Sequence, residues 1–194
     1  MISALSLWFL LTGYVVMVAF FVIQRLLRRT ESAKSFHGGA FDRGNMLLIG
    51  GATGTGLLLP IVVDLLGVAT FPIGLADGLV ALALMTLGVG IRIWAAITLG
   101  RFYTTTLMIT EGHRVVTNGP YSRIRHPGYL GEMLLWTGFG ILSSDLITAL
   151  LLPMLFVAAY LYRISVEERM LTQELGDDYV QYRRRTRKLI PFVY

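Results

Sequence analysis

Cysteine is absent from this chain of 194 residues, and charged residues make up only 15% of it. Without cysteine the chain can form no disulfide and offers no thiolate, which excludes a cysteine nucleophile and a cysteine-ligated metal. Its three histidines are widely separated, so no metal site is expected. Soluble domains carry about 25% charged residues. The low charge, the 55% hydrophobic content and the mean hydropathy of +0.65 therefore indicate an all-α, polytopic membrane protein.

Uncharged runs mark the predicted membrane helices. Three of them, Ala4 to Ile23, Met46 to Val63 and one within Gly74 to Leu99, have about the length of a bilayer-spanning helix. Two shorter apolar runs, Tyr129 to Ser144 and Leu146 to Tyr162, predict a tight helical hairpin with a shallow or tilted fit. We therefore predict five spans in a single membrane domain, residues 1–194. Its parts are three N-terminal spans (1–99), a connector (100–128), the hairpin (129–162) and a tail that completes the site (163–194).

The placement of charge predicts the orientation. All 17 Lys and Arg fall in or beside residues 24–45, residues 92–128 and the tail, whereas the opposite loops carry only acidic residues. By the positive-inside rule, the N-terminus lies outside and the C-terminus is cytoplasmic. The first run follows no positive charge, unlike a signal peptide, so it is predicted to be a retained span. The net charge of +5 then needs no nucleic acid to explain it.

Two further features are interpreted as packing. The glycine-rich stretch 50–56 lacks the strand and soluble helix that a nucleotide-binding loop requires, so Gly50 and Gly54 are predicted to pack closely against another helix. Arg92 lies near the inner end of the third span. It can snorkel to the membrane surface or pair with an acid from another span, for which Glu132 is the candidate.

The polar residues with chemical potential gather on the predicted cytoplasmic face. Arg163 and Glu167 are four residues apart and share one face of a helix, whereas Glu168 lies on a neighbouring face. They could form an ordinary surface ion pair of little worth. They could instead form a site in which Arg163 binds an anion and Glu167 a cation. The basic loop 119–131 leaves a similar choice, because it could simply bind lipid headgroups.

These residues resemble the isoprenylcysteine carboxyl methyltransferase family and the related phospholipid methyltransferases. The pattern is Gly119-Pro120-Tyr121, then His126-Pro127-x-Tyr129-x-Gly131, then Glu167-Glu168, Tyr179-x₂-Tyr182 and a final proline. It covers about the last hundred residues. The resemblance implies an integral membrane methyltransferase that uses S-adenosyl-L-methionine without a Rossmann domain and releases S-adenosyl-L-homocysteine.

The resemblance also implies site residues. Arg163 would bind the methyl acceptor, and Arg163, Glu167 and Glu168 are the candidate catalytic residues. A family glutamine falls near Thr106, where the threonine departs from the pattern. The implied cofactor-binding residues are Thr106, His113, Arg114, Val115, Val116, Tyr121, His126, Pro127, Gly128, Tyr129, Gly131 and Glu167. His126 could contact the cofactor or close the loop by a structural hydrogen bond.

The chemistry of these residue types agrees with the resemblance. A carboxylate suits a sulfonium cation, and tyrosine rings offer cation–π contacts or stacking. Methyl transfer to a carboxylate needs no general base, since that group is already ionised at neutral pH. An amine acceptor would need one, for which Glu167 or Glu168 is the candidate. The leading interpretation is methylation of a lipid-linked acceptor, with a C-terminal prenylcysteine carboxylate as the best guess. The alternatives are a phospholipid or other lipid N-methyltransferase, an NADPH-dependent membrane reductase and a non-catalytic scaffold.

Overall fold

The computed structural model describes residues 4–27, 44–68, 70–103 and 114–190. Over these residues the chain forms five α-helices and two short 3₁₀ helices. The α-helices are α1 (Ala4–Leu27), α2 (Asn45–Leu66), α3 (Leu75–Leu99), α4 (Pro127–Leu142) and α5 (Leu146–Arg185), and the 3₁₀ helices are Gly100–Phe102 and Gly119–Ser122. All of the α-helices except α4 are long and apolar enough to cross a membrane. The expected polytopic, all-helical membrane fold is confirmed.

Helix α4 is the centre of the bundle. It has only 16 residues, about 24 Å at the usual rise per residue. None of its side chains is fully exposed, because α1, α3 and α5 surround it. A helix that is apolar all round is expected to be buried. The sequence analysis predicts a shallow or tilted span for this short run. In the structure, the short helix is covered by other helices.

Helices α3 and α4 cross closely because glycine lines their contact. A Cβ atom on Gly88 would meet the carbonyl oxygen of Gly131 and the backbone of Leu135. Further along, a Cβ atom on Gly138 would meet the carbonyl oxygen of Ala81. Small residues let helix backbones approach one another in lipid, where apolar side chains gain little by leaving the lipid tails. This crossing holds Arg92 of α3 beside the first turn of α4.

The predicted packing of Gly50 and Gly54 is wrong. Within the described part of the chain, a Cβ atom on either glycine would meet nothing within 4 Å. The small residues that α2 buries are instead Ala52 and Gly56, and a Cβ atom on Gly56 would collide with the ring of Trp136. Several small residues occur in this stretch at a spacing of four, so the spacing alone does not decide which pair faces the bundle.

Aromatic side chains fill the core behind α4. The rings of Trp136 and Phe156 stack with centroids 4.1 Å apart, and Phe139 meets Trp136 edge-on. The Tyr14 hydroxyl of α1 donates a hydrogen bond of 2.8 Å to the carbonyl oxygen of Leu57 in α2. Such rings bury large apolar surfaces. The core therefore ties the N-terminal helices to the α4–α5 pair.

Helix α5 begins with a side-chain cap and bends once. The Asp145 carboxylate accepts a hydrogen bond of 2.6 Å from the backbone NH of Thr148, as an N-cap residue does. Gly176 interrupts this helix, because its φ of 55° and ψ of −131° are not helical. The helix resumes at once and continues to Arg185. The bend turns the charged end of α5 back toward the start of α4.

Candidate functional site

The segment after α5 folds onto the loop that precedes α4. The NH groups of Arg125 and His126 donate to the carbonyl oxygens of Arg187 and Lys188, at 2.8 and 3.1 Å. The Tyr182 hydroxyl, at the end of α5, donates to the carbonyl oxygen of Tyr121 at 2.8 Å. These bonds satisfy backbone groups that would otherwise lie buried and unpaired. The tail therefore fixes the position of the His126 loop.

Glu168 is the main side-chain contact of this loop. Its carboxylate accepts a hydrogen bond of 2.7 Å from Arg125 Nε, and its oxygens lie 3.4 Å from His126 Nε2 and 3.7 Å from an Arg183 guanidinium nitrogen. Glu168 lies about 33 Å along α5 from Leu146, beyond the roughly 30 Å of a bilayer core. Burial opposes its ionisation, but the hydrogen bonds from His126 and Arg125 outweigh this and lower its pKa to about 2.

His126 lies between the two carboxylates of α5. Its Nδ1 atom is 3.7 Å from Glu167 Oε2, while Nε2 faces Glu168 on the other side. Its ring also stacks on that of Tyr129, with centroids 5.6 Å apart. The side chain is 4% exposed. His126 thus separates Glu168 from Glu167 and positions the Tyr129 ring.

The Tyr129 hydroxyl joins the two charged side chains predicted to form the site. It donates a hydrogen bond of 2.7 Å to Glu167 Oε2 and accepts one of 2.8 Å from Arg163 Nε. The Arg163 guanidinium also lies over the Tyr129 ring, 5.7 Å from its centroid. Hydrogen bonds to charged groups are stronger than those between neutral groups. The arrangement joins a group that could bind an anion and a group that could bind a cation through one phenol hydroxyl.

A cavity opens beside this phenol, at the edge of the apolar part of the bundle. All five α-helices contribute residues to its lining. Nine of the predicted site residues line it: Arg114, Val115, Val116, Tyr121, His126, Gly128, Tyr129, Arg163 and Glu167. The residues predicted from helical spacing, Arg163 and Glu167, therefore line the same cavity as the residues predicted from the motif.

Three predicted residues do not line this cavity. Pro127 is the first residue of α4, and Gly131 packs against Gly88 at the helix crossing. Glu168 contacts Arg125 and His126 but is not part of the cavity lining. This position favours support of the loop over contact with reacting atoms. Thr106 and His113 lie outside the described residues.

The cavity also contains polar residues that the motif does not include. The predicted pair of Arg92 and Glu132 is confirmed, with Arg92 Nε 3.0 Å from Glu132 Oε1. Gln24 and Tyr160 were missed, and both contact Glu132. A lone glutamine near the end of an apolar helix is the signal that could have indicated Gln24. Tyr160 gave no comparable signal.

Residues 80–173 match the model of the isoprenylcysteine carboxyl methyltransferase (ICMT) family. Arg92, His126, Tyr129, Arg163 and Glu167 all fall within this segment. This segment is therefore similar to the ICMT family. The resemblance expected from the motifs is thereby confirmed for the part of the chain that supplies most of the cavity.

Individual relatives agree with the family match. Protein-S-isoprenylcysteine O-methyltransferase B of Arabidopsis thaliana is 34% identical over 114 residues, which are 58% of each chain. The cobalt-zinc-cadmium resistance protein CzcN of Cupriavidus metallidurans is 31% identical over 62% of this chain and 50% of its own. This chain therefore spans between half and three fifths of the length of these relatives.

A solved structure shares the fold. It is the eukaryotic intramembrane Ras methyltransferase ICMT, which is 23% identical to this chain. The superposition has a TM-score of 0.59 and covers 94% of this chain and 63% of the other. The similarity in fold therefore includes α1 and α2, which lie outside the segment that matches the family model.

Proposed function

We propose that this protein is a membrane methyltransferase that uses S-adenosyl-L-methionine to methylate a lipid-linked acceptor. The best-supported acceptor group is the carboxylate of a C-terminal prenylcysteine. One observation carries the proposal: the Tyr129 hydroxyl joins Arg163 and Glu167 in a cavity at the membrane edge, within a segment that matches the ICMT family.

The residues of the cavity suit this cofactor. When bound, S-adenosyl-L-methionine supplies a methyl group activated by a sulfonium cation. The Glu167 carboxylate, whose side chain is 24% exposed, can face such a cation, and the Tyr121 and Tyr129 rings can stack on an adenine or meet a positive charge. Residues 114–116 line the same cavity, and their backbone groups could bond polar edges of the cofactor.

The acceptor would be held by Arg163. A planar guanidinium binds both oxygens of a carboxylate. The bond from Arg163 Nε to Tyr129 fixes the plane of that guanidinium. Alignment is then the main contribution of the protein, because an ionised carboxylate needs no general base. The apolar part of the acceptor would lie toward Phe20 and Ile49, which line the cavity from α1 and α2.

The same proposal includes the orientation in the membrane. The charged end of α5 and the loop before α4 would face the cytoplasm, with the N-terminus outside. Their Lys and Arg residues support this arrangement through the positive-inside rule. The cofactor would then enter from the cytoplasm, and the acceptor would enter sideways from the bilayer.

The proposal is tested by calorimetric titration of the purified protein with S-adenosyl-L-homocysteine and, separately, with NADPH. We expect saturable binding of S-adenosyl-L-homocysteine only. Glu167→Gln should weaken it by about tenfold or more, since a bond to a charged group is worth roughly 1.5–3 kcal/mol. Glu174→Gln, on the exposed side of α5, is the matched control. Binding of NADPH alone would overturn the proposal in favour of a reductase.

Turnover tests the acceptor. With N-acetyl-S-farnesylcysteine as acceptor, Arg163→Ala should reduce kcat/KM by about tenfold to a hundredfold while affecting cofactor affinity less. Arg184→Ala, an exposed arginine later in α5, is the control. Full activity of Arg163→Ala would remove this residue from the mechanism. Activity on lipid amines but not on farnesylcysteine would indicate an N-methyltransferase.

A further inference from the structure

Tyr179 lines the cavity with a buried hydroxyl that has no partner among the described residues. It belongs to the part of α5 beyond the bend at Gly176, and it is only 3% exposed. Its hydroxyl forms no hydrogen bond within the described part of the chain. A buried hydroxyl without a partner costs free energy, because it has lost its bonds to water. On the wall of a cavity, such a group indicates a ligand that supplies the missing bond.

Neighbouring tyrosines of the same cavity differ from Tyr179 in this respect. The Tyr182 hydroxyl donates a hydrogen bond of 2.8 Å to the carbonyl oxygen of Tyr121. The Tyr129 hydroxyl donates one of 2.7 Å to Glu167. These two hydroxyls therefore hold groups of the protein in place, whereas that of Tyr179 is available to a ligand.

The Tyr179 hydroxyl is a neutral donor close to the residues assigned to the cofactor. Burial raises its pKa, and the Glu168 and Glu167 carboxylates raise that pKa further, so the phenol keeps its proton at neutral pH. Its ring centroid lies 5.9 Å from that of Tyr182, which holds Tyr121. Under the proposed function, Tyr121 and Glu167 contact the cofactor. Tyr179 is therefore placed to contact the same molecule.

We propose that the Tyr179 hydroxyl binds the nucleoside part of the S-adenosyl cofactor, through a hydrogen bond to its ribose or its adenine. The inference rests on the proposed function for the identity of the cofactor. A phenol donates one hydrogen bond and can accept others, which matches the uncharged polar groups of a nucleoside. Charged side chains of the cavity, such as Glu167 and Arg114, suit the charged amino-acid end better, because bonds between charged groups are stronger.

Tyr179→Phe tests the proposal by removing one oxygen atom. Calorimetry measures the Kd of two probes, S-adenosyl-L-homocysteine and 5′-methylthioadenosine, which keeps the nucleoside and lacks the amino-acid end. We expect the substitution to weaken the binding of both probes by a similar factor, about threefold to tenfold, as for the loss of one neutral hydrogen bond. Unchanged affinity for both would overturn the proposal. A loss confined to S-adenosyl-L-homocysteine would assign the bond to the amino-acid end and would overturn it as well.

The stability of the protein without ligand separates a binding role from a structural one. Because the Tyr179 hydroxyl has no partner among the described residues, Tyr179→Phe should leave the Tm unchanged or raise it. Tyr182→Phe should lower the Tm, since its hydroxyl bonds the carbonyl oxygen of Tyr121. Tyr162→Phe, at an exposed position of α5, should change neither the Tm nor the affinity. A fall in Tm for Tyr179→Phe as large as that for Tyr182→Phe would contradict the proposal.

The acceptor provides the last control. With S-adenosyl-L-homocysteine bound, Tyr179→Phe should leave the Kd of N-acetyl-S-farnesylcysteine unchanged, because the acceptor is assigned to Arg163. A loss of affinity for the acceptor alone would contradict the proposal. If the wild-type protein failed to bind S-adenosyl-L-homocysteine, the proposed function would be overturned, and this inference with it. Equal Kd values for wild type and Tyr179→Phe would overturn only the role of Tyr179.

Discussion

At the scale of single residues, the adjacent acids of α5 have different surroundings. Glu167 meets Tyr129 and lines the cavity, whereas Glu168 faces the other way and holds Arg125 and His126. Neighbouring residues on a helix point about 100° apart, so two consecutive glutamates contact different partners. Under the proposed function, this geometry favours Glu167 for contact with the cofactor and Glu168 for support of the loop.

Substitution of Glu168 tests this division. Its folded-state pKa of about 2 lies below the ordinary 4.5, so the ionised carboxylate stabilises the fold above about pH 4.5. That contribution is lost as the pH falls toward 2. We expect Glu168→Gln to lower the free energy of unfolding by about 1.5–3 kcal/mol at pH 7. The difference from wild type should shrink below pH 4.5.

Denaturant unfolding of the solubilised protein between pH 7 and 3 measures both effects. Glu174→Gln, an exposed acid of the same helix, should change stability by less than about 0.5 kcal/mol. If Glu168→Gln abolished turnover and left the unfolding free energy unchanged, Glu168 would act in the chemistry and its supporting role would be refuted.

At the scale of helices, the α3–α4 crossing brings the two halves of the cavity together. Gly88 and Gly131 allow the close approach, and the next turns carry Arg92 on α3 and Gly128 on α4. A Cβ atom on Gly128 would lie 2.5 Å from an Arg92 guanidinium nitrogen. The glycine of the His126-Pro127-Gly128 segment therefore leaves room for Arg92.

Two glycine substitutions in α3 should have opposite effects. Gly88→Ala places a methyl group against the backbone of α4 and should destabilise the protein by about 1–3 kcal/mol. Gly90→Ala is the matched control, because its Cβ atom would meet nothing within 4 Å. It should be neutral or stabilise by up to about 1 kcal/mol, through the higher helix propensity of alanine. Thermal melting in one detergent compares them, and equal effects would refute the close crossing.

At the scale of the whole molecule, residues far apart in sequence close the site. The loop before α4 pairs with the segment after α5, about sixty residues later, and Arg125 also donates a bond of 2.6 Å to the carbonyl oxygen of Thr186. The bend at Gly176 makes this return possible, since its φ of 55° is readily adopted only by glycine. Cofactor binding is therefore expected to stabilise both segments together.

Hydrogen exchange tests this coupling. At a concentration a hundredfold above its Kd, S-adenosyl-L-homocysteine should stabilise the folded protein by about 2.7 kcal/mol. We expect added protection at the amides of Arg125, His126 and Arg187, which form the bonds between loop and tail. The exposed start of α2, around Leu47, is the internal control. Equal protection in both regions, or none in the loop, would argue against a tail-closed site.

The sequence was sufficient for the membrane class and for many of the residues that line the cavity. Uncharged runs predicted helices that agree closely with the bounds of α1, α2 and α3. A helical spacing of four predicted that Arg163 and Glu167 share a face. These features depend on local periodicity, which the sequence carries directly. The motif also predicted the position of His126 and Tyr129 in the cavity.

Only the tertiary structure decided which partners these side chains take. The sequence could not separate Gly50 and Gly54 from Ala52 and Gly56, because several small residues share the same spacing. It could not show Gln24 of α1 beside Glu132 of α4, since they are 108 positions apart. Contacts between helices depend on crossing geometry and on which face meets which, and these follow from the packing of the whole bundle. The sequence alone determined a membrane-embedded helical protein with charged residues gathered at one edge, while packing determined which of them line the cavity and which segments close it.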